Sequence, residues 1–150
     1  MTFHVASVVI TLASIALYSN TLPPMTPLEA VTIAYDEARE IRDFVENFDS
    51  DDPTEVRDAL LAKLLQVDLA LDSAVEMSDG CFEDVRRGIR LQKKAIKQVM
   101  EEGFILWDRT QAGEQFEHDD ILVDKVRQVI DMKVKLIFFI AEKGFCLDRR

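Results

Sequence analysis

Catalysis needs side chains that hold or transfer protons, electrons or groups at short range, and this chain shows few in such an arrangement. His4 and His118 are far apart, and neither stands in a metal-binding or catalytic motif. Cys81 and Cys146 form no C-x-x-C pair and have no His at ligand spacing, so zinc and thioredoxin-type chemistry are not expected. They fit two free thiols in a reducing compartment, or a single 81–146 disulfide in an oxidising one. The five glycines are scattered and make no phosphate-cradling loop. G-x-S-x-G and H-E-x-x-H are absent. Acidic residues are plentiful, but on helices such residues usually form solvated faces. The expectation is a protein that is not an enzyme, with no catalytic residues, no metal and no cofactor.

Charge is distributed less evenly than the reactive groups. Residues 85–100, "VRRGIRLQKKAIKQVM", hold six of the eighteen Lys and Arg residues and no Asp or Glu. The chain carries a net charge of −10, which would be −16 without those six positive charges. Arg86, Arg90, Lys93 and Lys97 recur at helical steps and share one face, with Arg87 and Lys94 beside it. Asp58 and Asp68 are ten residues apart, close to three whole turns, so they point the same way from the helix expected to neighbour the basic row. Such rows pair with each other or with water, contributing ~0–1 kcal/mol each, or they form a polar face for a partner. The acidic balance opposes nucleic acid and anionic membranes in general. It leaves a local basic patch able to meet an acidic partner.

These groups need helices to position them. Thr26-Pro27-Leu28-Glu29 has the form of a capping box with Pro at the first helical position. Leu28, Val31, Tyr35, Ala38, Ile41, Val45 and Phe48 then make one apolar stripe. Asp52-Pro53-Thr54-Glu55 repeats the start signal, and Val56, Leu60, Leu64, Val67, Leu71 and Val75 make a second stripe. "MSDG" closes that helix, with Gly80 suited to a left-handed cap. Phe82, Val85, Ile89, Ile96, Met100, Phe104 and Trp107 make a third, in which Gly88 and Gly103 each cost ~1 kcal/mol relative to Ala. After the polar segment "DRTQAGEQFEHDD", a fourth stripe runs through Ile121, Leu122, Val126, Val129, Ile130, Val134, Ile137 and Ile140. No stretch alternates with period two, so an all-α protein without a sheet is expected.

The first 28 residues carry no charged side chain, and Phe3 to Leu22 is apolar enough to consider as a membrane segment. Three readings stand in order: a membrane anchor over residues 3–22, a cleaved signal peptide, and a buried helix. Ser14-Ile15-Ala16 is a tolerable small-x-small cleavage site, whereas the basic n-region of a signal peptide is missing. The organisation read from these signals is a hydrophobic segment over 1–22, a Pro-rich linker over 23–26, and a helical bundle over 27–108. An acidic linker over 109–119 and a C-terminal helix over 120–143 follow.

"DALLAKLLQVD" followed by "DVRRGIRLQKKAIKQVMEEGFILWD" resembles the BAG domain, the athanogene-type cochaperone module, from about Met25 to Asp108. "PMTPLEAVTIAYDEAREIRDFVENFD" is similar to the entry helix of fungal members, some of which carry an N-terminal membrane anchor. The resemblance implies an antiparallel three-helix BAG-like bundle, with the fourth helix as an addition. It implies a cochaperone that binds the ATPase domain of the seventy-kilodalton heat-shock chaperone and promotes ADP release. It implies an endoplasmic reticulum or nuclear envelope membrane with the domain facing the cytosol. The family's contact pattern falls on Asp58, Asp68, Lys93 and Glu101, or on Asp72 in place of Asp68 in an alternative register. With the basic row, Arg86, Arg90 and Lys97 complete the candidate partner-binding residues, although the pattern has an apolar residue at position 97. Lys93 stands where the family pattern has Arg, and Glu101 where it has Gln, both departures that weaken the expected carboxylate recognition. Two other functions compete: a structural subunit of a membrane assembly, and a secreted helical effector. The last needs the N-terminus removed and Cys81 bonded to Cys146.

Overall fold

The computed structural model describes residues 25–111 and 119–148, with side chains described for 25–103 and 123–148. The readings of residues 1–24 as anchor, signal or linker lie outside this range, as do those of His4 and His118. Four α-helices follow one another: α1 (Pro27–Asn47), α2 (Pro53–Met77), α3 (Glu83–Gln111) and α4 (Asp119–Glu142). A short 3-10 turn, Gly144–Cys146, closes the described chain. Among the described residues there is no strand. No helix among them is long and apolar enough to cross a membrane.

The helix starts form as the sequence dictates. Thr26 caps α1 by accepting a hydrogen bond from the Glu29 backbone N–H at 3.2 Å, with Pro27 in the first turn. Asp52 caps α2 by accepting from the Thr54 N–H at 3.0 Å, and Ser50 donates to the Glu55 carboxylate at 3.0 Å. The end of α2 differs from the expected glycine cap. Ser78, buried, takes the C-cap position, and its hydroxyl donates to the Val75 carbonyl at 2.8 Å. The Cys81 N–H then donates to the Ser78 carbonyl at 2.9 Å, which turns the chain toward α3.

The helices do not pack in the order expected. α1, α2 and α4 pack on one another, and α3 packs on α4. The fourth helix is therefore the centre of the fold rather than an addition to a bundle made by the first three. Its register against α1 and α3 is antiparallel: Leu28 and Tyr35 of α1 meet Gly144, just past the end of α4, and Phe138, and Gly88 and Gly103 of α3 lie against Phe139 and Lys125. Val129, Ile130, Lys133, Val134, Leu136, Ile137 and Ile140 are all buried. That arc is wider than one stripe because α4 has neighbours on several sides. Val31, Ala34, Ala38 and Ile41 of α1, Leu60, Val67, Leu71 and Ala74 of α2, and Val85, Ile89 and Ile96 of α3 complete the core. Phe82 and Met100, expected in the α3 stripe, are exposed at its edges.

One covalent bond spans the fold. Cys81, in the turn before α3, is disulfide-bonded to Cys146, in the turn after α4. The Phe82 and Phe145 rings lie beside it with centroids 5.7 Å apart. The bond holds the start of α3 against the end of α4, the helix on which α3 depends for its burial.

Candidate functional site

The basic segment forms the outward face of α3, because Val85, Ile89 and Ile96 turn the opposite face into α4. Arg86, Arg87, Arg90, Lys93, Lys94 and Lys97 are all exposed. Two of them are engaged: Arg86 and Arg90 both donate to the Glu83 carboxylate, at 2.6 and 2.8 Å. The hydrogen bond from Arg90, with the charges of Arg86 and Arg90, holds the Glu83 carboxyl below its ordinary value. Arg87, Lys93, Lys94 and Lys97 form no ion pair among the described residues. Four like charges within three turns repel one another, so an acidic surface brought against them would relieve that repulsion. Glu101 is exposed at the far end of the row.

The acids of α2 sit in a different setting. Asp58 accepts from Arg57 at 3.3 Å, an intra-helix pair about one-third exposed. Asp68 is bonded to Lys133 of α4, whose ammonium group is buried in the fold. Burying a lysine is costly unless its charge is met, and Asp68 meets it. Asp68 is therefore a structural partner of the central helix as well as a surface residue. The two acids and the basic row stand on helices that each pack on α4 and do not pack closely on each other. The expected juxtaposition on neighbouring helices is not formed among the described residues.

Lys133 was invisible to periodicity. It falls at a core position of α4, and a charged residue there signals a buried pair only once the opposing helix is known. The described residues contain no group of three or more His, Cys, Asp or Glu side chains placed to hold a metal ion. Comparison with family models, with curated proteins and with solved structures finds no match for this chain.

Proposed function

We propose that this chain is a secreted helical effector: a binding module held by one disulfide that presents the basic face of α3 to an acidic protein partner. The Cys81–Cys146 bond carries this reading. Disulfides form and persist in oxidising compartments and are rare where glutathione and thioredoxin keep thiols reduced. The apolar segment over residues 3–22 then acts as a signal peptide rather than an anchor. The exposed basic row supplies the face, and α4 supplies the rigid support behind it.

The BAG-like exchange factor is the competing reading. It draws on Asp58, Asp68, Lys93 and Glu101 acting from α2 and α3 together. The packing of both helices on α4, and the use of Asp68 to hold Lys133, give that reading less support. One preparation distinguishes the two. The native protein is alkylated without reductant, and its intact mass is measured. A mass lacking the N-terminal segment, with neither thiol labelled, is the expected result. A full-length chain with both thiols labelled would sink the secreted reading. Release of a fluorescent ADP analogue from the chaperone ATPase domain, with and without Lys93→Ala, would then test the exchange factor.

A further inference from the structure

The back of α2 breaks the rule that the outward side of a bundle helix is polar. Leu60, Val67, Leu71 and Ala74 face the core. Leu65 lies on the opposite side of the same helix, with Leu61 one turn before it and Leu69 one turn after. Leu61, Leu65 and Leu69 are all exposed, at 42%, 46% and 42%. Acids stand at both ends of this leucine row on the same face: Asp58 before it, Asp72 and Glu76 after it. Asp72 and Glu76 form no ion pair among the described residues, and Asp58 uses only its Oδ1 toward Arg57.

We propose that this face is a second docking site, and that its occupant is a helix of another protein with apolar residues on successive turns and a basic residue at each end. Charge selects that occupant. A second copy of α2 laid antiparallel across Leu65 would place Asp58 opposite Asp72 at both ends, and like charges so placed repel. A second copy of α3 offers one exposed leucine, Leu91, with basic residues around it and the acids Glu83 and Glu101 outside them. Its acids would fall near those of α2. The matching helix therefore covers about 12 Å of leucine row and places its basic groups about 21 Å apart, from 1.5 Å per residue. A contact of this size belongs to the weak, transient class. The proposal is independent of the compartment in which the protein works.

The test uses the full disulfide-bonded protein and two synthetic helical peptides. Both carry leucines on three successive turns of one face; one has lysines at the ends and the other glutamates. Fluorescence anisotropy should show the lysine peptide binding about tenfold more tightly than the glutamate peptide. Leu65→Gln should weaken the lysine peptide by about tenfold, and Leu91→Gln on α3 should leave it unchanged. Asp72→Lys with Glu76→Lys should favour the glutamate peptide. Circular dichroism checks that each variant is folded. Equal binding of both peptides, or an unchanged affinity in Leu65→Gln, overturns the proposal. So does a dimer by sedimentation that Leu65→Gln dissolves, which would assign the face to a second copy.

Discussion

At the scale of single residues, two glycines of α3 look alike in the sequence and differ in the structure. A Cβ on Gly88 would come 2.9 Å from Cζ and 3.2 Å from Cε1 of Phe139. Among the described residues, a Cβ on Gly103 would meet the Cβ of Lys125, at 3.8 Å, an ordinary contact. Replacing a mid-helix glycine by alanine gains about 0.5–1 kcal/mol where space allows. Gly103→Ala should therefore stabilise by about that much. Gly88→Ala must move the Phe139 ring, and overpacking costs about 1–3 kcal/mol, so its net effect is destabilising. Denaturant midpoints of the two variants check this. Combining Gly88→Ala with Phe139→Leu should recover most of the loss, and an equal gain from both glycine replacements would show that the ring gives way freely.

The Asp68–Lys133 pair makes a different case at the same scale. Asp68→Ala leaves the buried ammonium of Lys133 without its carboxylate, an expected loss of about 1–3 kcal/mol. The partial exposure of Asp68 lets water approach and keeps the loss below that of a fully buried pair. Asp68→Leu with Lys133→Met removes both charges and should lose much less. A double-mutant cycle by chemical denaturation measures the coupling, and additive losses would mean that the pair does not support the fold. A binding defect in Asp68→Ala is informative only after this measurement.

Among the elements, the parts of the fold that depend on neighbours in sequence were legible and those that depend on distant partners were not. Thr26, Pro27, Asp52 and Pro53 announce helix starts because a cap is satisfied within three residues. Core positions such as Val31, Leu60, Val85 and Ile130 follow from period alone. The central place of α4 does not, because periodicity says that a face is buried and not against what. Its sign in the sequence is the breadth of its apolar arc: Leu136 lies off the stripe of Ile130, Val134 and Ile137, yet all four are buried. The basic face was legible from charge alone, since Arg86 to Lys97 need only solvent on one side. Its expected acidic neighbour on α2 was not, because helix adjacency is a tertiary fact. The same distinction gives a test. A fragment over 25–111 lacks α4, so α1 and α2 lose a shared neighbour and α3 loses the helix on which it packs. It should show no cooperative thermal transition. A fragment that melts cooperatively would mean that the first three helices form a bundle by themselves.

For the whole molecule, the disulfide determines how firmly α3 belongs to the rest. Cys81 and Cys146 are 65 residues apart, and closing a loop of that length in the unfolded chain is worth about 4 kcal/mol on the chain-entropy account. Small domains have about 5–15 kcal/mol of net stability, so reduction removes a large share. The loss should not be felt evenly. α1 and α2 pack on each other and on α4, whereas α3 packs on α4 and is pinned at its start by the bond. Reduction should therefore speed hydrogen exchange soonest in the first two turns of α3, where Val85 and Ile89 are the buried contacts, while α1 and α2 stay protected. Uniform loss of protection across all four helices would show that the bond acts on the molecule as one cooperative unit. The basic face rides on α3, so local opening would also disperse Arg87, Lys94 and Lys97 before the core melts. A partner held by that face should then be released by reductant under conditions where the protein, by far-ultraviolet circular dichroism, is still helical.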